Sequence, residues 1–130
     1  MDGLIFDSTF LIDFQRERRR GEGKAHRFLE AQAENLALLP VIAFGEFAEG
    51  FASLDDPNFL TVVESFTILP VTREVATIYA RLTKSLRENG NLIGTNDLWI
   101  AAIAVEKALP LVTRNHGHFS RVSGLEVRSY

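Results

Sequence analysis

Cysteine is absent from this chain, which excludes a disulfide framework, thiolate zinc ligation and a cysteine nucleophile, and fits a reducing compartment. Long apolar runs are missing too. A stretch such as Leu98 to Val105 falls far short of the roughly 20 residues a membrane-spanning helix requires. The N-terminus, MDGLIFDSTF, carries an acid at its second position and lacks the basic start and long apolar core of a signal peptide. A soluble, cytoplasmic protein with no membrane partner is therefore expected. Positive charge is also short. With 14 Lys and Arg against 17 Asp and Glu, the formal net charge is −3, which argues against broad electrostatic affinity for nucleic acid. The local exception is QRERRRGEGK, Gln15 to Lys24.

What is present suits one globular domain spanning residues 1–130. A chain of this length with 46% hydrophobic residues buries about two-thirds of its unfolded surface around one core. There is no repeat, low-complexity tract or linker, and the apolar segments switch between two periods. Gly3 to Phe6 predicts a strand ending at Asp7, followed by a helix over Thr9 to Arg20 behind a Ser or Thr cap. A second helix is predicted over Ala25 to Glu34, a buried strand over Leu36 to Pro40 and a third helix over Ala43 to Leu54. Pro57 can open another helix. FTILPV reads as a strand. Thr72 then caps a long helix that puts Val75, Ile78, Tyr79, Leu82 and Leu86 on one face and ends at Asn89 and Gly90. Asp97 falls in the first turn of a helix with the body LWIAAIAV, and LPLVT and LEVRSY are the closing strands. Strands separated by helices imply an α/β fold, a mainly parallel sheet covered on both faces.

In such sheets ligands gather beyond the carboxyl ends of the strands, and three acids stand there. Asp7 directly follows the first strand. Glu46, in LLPVIAFGEFAEG, lies early in the helix after the second, and Asp97 opens the helix before LPLVT. Each has a plain structural alternative as a cap or a helix-dipole partner. Together, three carboxylates in one crevice repel one another unless a cation neutralises them, and oxygen ligands of this type suit Mg²⁺ or Mn²⁺.

The motifs LIFDSTFLIDF, PVIAFGEFAEGF, NLIGTNDLWIAAIAVEKALPLVTRN and HFSRVSGLEV resemble the PIN domain, and within it the VapC-like toxin ribonucleases of type II toxin–antitoxin systems. The resemblance covers nearly the whole chain. It implies a three-layer fold and a Mg²⁺- or Mn²⁺-dependent endoribonuclease that hydrolyses RNA phosphodiester bonds, with Asp7, Glu46 and Asp97 as catalytic metal ligands. It further implies products with 5′-phosphate and 3′-hydroxyl ends, a cognate antitoxin and pairing as a homodimer. The place of a fourth acid in the family is taken by Asn115, whose amide oxygen can accept a bond from metal-bound water but adds no charge. Thr9 and Thr113 match hydroxyls that line the family's pocket, and they are equally explicable as strand-end and cap residues.

Other residues invite weaker readings. Arg16, Arg18, Arg19 and Arg20 are candidates for holding RNA phosphates, against the alternative of a solvated helix face. His116 and His118 flank Gly117 as a close pair that could bind metal, or simply form a surface turn, and His118 is a candidate RNA contact. Phe44, Phe47 and Phe51 read as core. An antitoxin segment is expected along the first two helices near Phe10, Phe14 and the arginines, blocking the acids with a basic side chain. Two other classes are carried. A receiver-like phosphoacceptor domain needs an Asp after its third strand and a Lys after a later one, which TILPVT and LVTRN lack. A catalytically silent PIN-type scaffold that binds RNA or protein stands as the second alternative.

Overall fold

Among the described residues five segments form strands: β1 at Gly3–Phe6, β2 at Leu36–Pro40, β3 at Thr67–Leu69, β4 at Leu111–Val112 and β5 at Val127–Arg128. The computed structural model describes residues 2–130. It places β1 in the middle of one sheet of order β3-β2-β1-β4-β5, with every pairing parallel. Ile5 is in register with Leu38 on one side and Leu111 on the other. A central parallel strand is covered on both faces, which is why GLIF is continuously apolar instead of alternating and why all four residues are buried. Gly3 permits the close fit, because a Cβ there would meet Leu38 Cδ1 at 2.9 Å.

The helices are α1 at Ser8–Arg20, α2 at Lys24–Ala31, α3 at Val41–Ala48, α4 at Pro57–Val63, α5 at Arg73–Glu88, α6 at Thr95–Lys107 and α7 at His116–Phe119. They cover both faces of the sheet, completing a three-layer α/β arrangement of the PIN type. α6 is the interior helix: Ile100 to Ala104 are buried without a break, as a helix that is apolar all round must be. α5 packs against it with one face, where Tyr79 stacks on Trp99 at 3.8 Å between ring centroids. Its start is the expected one, Thr72 accepting the N–H of Val75 at 3.2 Å. Phe6, Phe10, Phe28 and Phe66 form an aromatic knot on β1, with Phe6 centroids 4.6 Å from Phe10 and 5.4 Å from Phe66. A second knot joins Phe47, Phe51 and Phe59.

Several boundaries differ from the sequence expectation. The cap of α1 is Asp7 instead of a hydroxyl residue, because its carboxylate accepts the Phe10 N–H. α2 stops at Ala31, since the chain must turn through Gln32 to Asn35 to enter β2. α3 begins at Val41 and ends at Ala48, not Leu54: Gly50 closes a turn onto the Phe47 carbonyl, and Phe51 leaves the helix while still packing on Phe47. The strands are shorter than FTILPV, LPLVT and LEVRSY suggest, and Pro70, which carries no N–H, follows directly on β3. His116 to His118 lie in the short helix α7 rather than in a simple turn. Phe10 is fully buried in the aromatic knot and is closed to any docking segment; Phe14 is half-buried and stacked on His26 at 4.0 Å.

Candidate active site

Asp7 is where β1 becomes α1, and this junction anchors the site. The residue is 2% exposed. Its Oδ1 accepts from the Thr9 hydroxyl at 2.6 Å and the Phe10 N–H at 3.3 Å, and its Oδ2 accepts from the Thr113 hydroxyl at 2.5 Å. Burial pushes the Asp7 carboxyl above the usual carboxylate range. The two hydroxyls and the N–H pull it back, the charge of Asp97 adds to the rise, and the net effect remains upward.

The same hydroxyls tie the loop after β4 to α1. Thr113 is fully buried, accepts the Asn115 N–H at 2.9 Å and thereby points its own proton at Asp7. Thr9 accepts the Arg114 N–H at 3.1 Å in the same way. Asn115 occupies the N-cap of α7 but its side chain makes no cap bond, so its amide is not committed to the helix.

The other two acids lie on the rim. Glu46, in α3, accepts from Ser8 Oγ at 3.1 Å and from Asn96 Nδ2 at 3.3 Å. Asp97, in the first turn of α6, lies 3.5 Å from His118 Nδ1. Glu46 and Asp97 line one shallow depression together with Gly94, Thr95 and Asn96. Asp7 at the end of β1 feels the charge of Asp97 in α6, Glu46 in α3 bonds Ser8 beside Asp7 and shares the depression with Asp97, and α7 brings His118 to Asp97. Among the described residues, no three His, Cys, Asp or Glu side chains are grouped closely enough to hold one ion as they stand.

The structure divides the arginine run. Arg16 and Arg19 line a groove of about 380 Å³ together with Glu46. Arg18 instead reaches the Asn58 carbonyl at 3.3 Å, and Arg20 lies exposed at the last position of α1. Sequence reasoning did not single out Ser8 and Asn96, the donors to Glu46. Each is the chain neighbour of an acid, Asp7 and Asp97 respectively, and that adjacency was the available signal. It also missed Asp13, which accepts from Arg114 at 2.6 Å and from the Tyr130 hydroxyl at 2.6 Å and so braces the Thr113 loop from behind.

A model of the PIN domain matches residues 4–125. The chain belongs to the PIN domain family. Within that family it is VapC-like: it is 32% identical over 133 residues to Ribonuclease VapC1 of Rickettsia felis, covering 96% of this chain and 94% of that one. Among solved structures, VapBC2 from Rickettsia felis bound to a DNA fragment from their promoter matches with a TM-score of 0.85 at 21% identity over 98% of both chains. VapBC-5 from Mycobacterium tuberculosis, a member of the VapBC family of toxin–antitoxin systems, matches with a TM-score of 0.71 at 24% identity over 100% of both chains. These structural likenesses establish the PIN fold, and no helix of the described residues is long and apolar enough to cross a membrane.

Proposed function

We propose that this chain is a single-domain, divalent-metal-dependent endoribonuclease and the toxin of a toxin–antitoxin pair. The observation that carries the reading is the withdrawal of the Asp7 carboxylate from water beside a second acid, Asp97, with too few donors to offset the charge. A fold keeps such a surplus where a cation or a reacting proton is to be met. The donor set of three carboxylates and the Asn115 amide is hard and oxygen-rich, which fits Mg²⁺ or Mn²⁺ by chemistry. To share one ion, Glu46 must release Ser8 and Asn96, and Asp97 must release His118. These contacts, at 3.1 to 3.5 Å, are long enough to exchange readily.

When bound, the ion supplies a polarised phosphate oxygen and an acidified water. The chain's own contribution is positional. Thr9 and Thr113 fix both Asp7 oxygens, and Asp13 steadies the loop that carries Thr113 and Asn115. Asp97 and Glu46 present negative charge from the opposite rim. Water then bonds to phosphorus as the P–O3′ bond breaks; the water gives up a proton and the leaving 3′ oxygen takes one up, which yields 5′-phosphate and 3′-hydroxyl ends. The curated relative's name, a ribonuclease, and the toxin–antitoxin context of VapBC-5 support the substrate class and a protein antitoxin as partner. A cytoplasmic homodimer completes the proposal.

The test is cleavage of structured and unstructured RNA with Mg²⁺ or Mn²⁺ by the wild type and by Asp97→Asn. Activity abolished by a chelator, restored by Mn²⁺ and lost in the variant is expected. RNA binding without cleavage under any metal would favour the silent scaffold instead.

A further inference from the structure

α5 carries Arg73, Arg81, Lys84 and Arg87 against Glu74 and Glu88, so this helix has more cations than acids in a chain whose formal net charge is −3. At 3.6 residues per turn, the four cations fall within about 120° of one another and spread over about 21 Å of helix axis. All four are exposed. The opposite face, with Val75 and Leu86, is the buried one.

No structural task accounts for this face. Among the described residues no carboxylate pairs with any of the four, whereas Arg16 of α1 meets Asp13 at 3.4 Å and Arg18 reaches the Asn58 carbonyl at 3.3 Å. The helix dipole suits Arg87 in the last turn, but it opposes Arg73 at the first helical position. Arg81 with Lys84, and Lys84 with Arg87, stand three residues apart, where like charges repel. Such an uncompensated face carries a positive potential that attracts a polyanion.

The face leads to the acids. Only residues 89–94 join the end of α5 to the start of α6, and the Asn91 N–H turns the chain back onto the Leu86 carbonyl at 2.8 Å. Gly94, Thr95 and Asn96 then line the depression that holds Glu46 and Asp97. Arg121, exposed, donates to the Leu92 carbonyl at 3.4 Å and so ties the segment after α7 to this junction.

We propose that the exposed face of α5 is a phosphate track for the part of an RNA strand that extends beyond the scissile bond. Arg87 and Lys84 take the phosphates nearer the acids, Arg81 and Arg73 those farther out, and Arg121 stands at the junction. Phosphate contacts position a strand without reading its bases, so the track senses the strand and not its sequence. The inference rests on the nuclease reading, because continuity with the acid depression is what favours RNA over an acidic protein surface.

The test reads binding without cleavage, using Asp7→Asn protein in EDTA and fluorescence anisotropy of a labelled single-stranded RNA across a salt series. Lys84→Gln together with Arg87→Gln should weaken binding about tenfold at low salt and flatten the salt slope by about 1.4, at about 0.7 per phosphate contact on a single strand. Arg73→Gln together with Arg81→Gln should act in the same direction. Lys107→Gln, which removes a charge at the opposite end of α6 from Asp97, should change neither quantity. Should a double variant fail to fold, Lys84→Gln and Arg87→Gln taken singly carry the same comparison. An unchanged slope in the α5 variants, or an equal loss with Lys107→Gln, overturns the proposal. So does polyglutamate that competes as well as unlabelled RNA, which would make the face a site for acidic protein. A wild type that binds RNA along α5 but cuts none under any metal refutes the nuclease reading and leaves the track standing. A wild type that cuts RNA while the α5 variants bind it equally well refutes the track alone.

Discussion

Asp7 and Glu17 are both carboxylates drawn out of water at the start of a helix, and the fold treats their charge in opposite ways. Glu17 belongs to α1 but turns its carboxylate to the N-terminus of α2, where its oxygens accept the N–H groups of Gly23, Ala25 and His26 at 2.9 to 3.0 Å and meet His26 Nδ1 at 2.8 Å. Gly23 leaves the room, since a Cβ there would stand 2.9 Å from the Glu17 carboxyl carbon. Burial would raise the Glu17 carboxyl, but the backbone N–H and imidazole of His26, followed by Ala25 and Gly23, hold it down at about 2. Asp7 receives one backbone N–H and two hydroxyls, faces Asp97, and is held up. A structural acid is one whose charge the surrounding donors satisfy. An acid left short of positive partners, in a fold able to supply them elsewhere, is one kept for chemistry.

The largest expected effect breaks this contrast at Asp7. Asp7→Asn should lower RNA cleavage by more than about 100-fold, beyond the loss that follows removal of an outer-shell partner, while raising the melting temperature at pH 7. The sign follows from linkage. A carboxyl held above its unfolded value of 3.8 favours the fold while protonated and costs stability once pH rises through its folded value. The variant's gain in melting temperature should therefore shrink as pH falls through the folded value toward 3.8 and be absent below it. A variant that melts lower at neutral pH would mean that Asp7 is satisfied after all.

Thr113→Val comes next, removing a donor to Asp7 with little change of shape. Activity should fall by about 10- to 100-fold, and the Asp7 carboxyl, followed by carbon NMR, should titrate still higher. A titration that does not move would separate Thr113 from the site.

Glu17→Gln should act on stability alone. Chemical denaturation should show a loss of about 1–2 kcal/mol, the size of a lost helix cap, with RNA cleavage by the folded protein unchanged. In the wild type, the stability from Glu17 is present above its unfolded value of 4.5 and is lost as pH falls toward about 2; the variant should lack that acid limb.

Tyr130→Phe should be the mildest, under about 1 kcal/mol for one hydrogen bond. Burial, then the hydrogen bond to Asp13 and its charge, push the Tyr130 phenol well above its ordinary value of 10.0. Ultraviolet titration of the wild type should show one tyrosine ionising late, and the variant should lose that component.

The layered fold was legible because each strand of this sheet is either wholly apolar or bounded by turn residues; of the three candidate acids, Asp7 directly follows β1 and Glu46 lies in the helix after β2, whereas Asp97 opens α6, which follows α5 and not a strand. Phe10 misled for a physical reason. Periodicity shows that a helix face is apolar, but not whether neighbouring elements cover it, and here Phe6, Phe28 and Tyr130 do. The four arginines read as one patch in sequence, yet helix phase sends Arg16 and Arg19 to the groove and Arg18 to Asn58. Gln15 carried no signal at all, because a polar residue in a polar run gives no hint that its amide oxygen is buried without a partner.

The hydrogen bond between Asp7 and Thr113 spans 106 positions of the chain. Synthesis proceeds from the N-terminus, so Asp7 is made 106 positions before the partner it waits for. Until residue 113 has emerged and the strand before it has added to the sheet, Asp7 lacks one of its two hydroxyl clamps, and Asp97 has no folded β4 beyond it. The site proposed here is thus completed only after residue 113 has been made, 106 positions after Asp7.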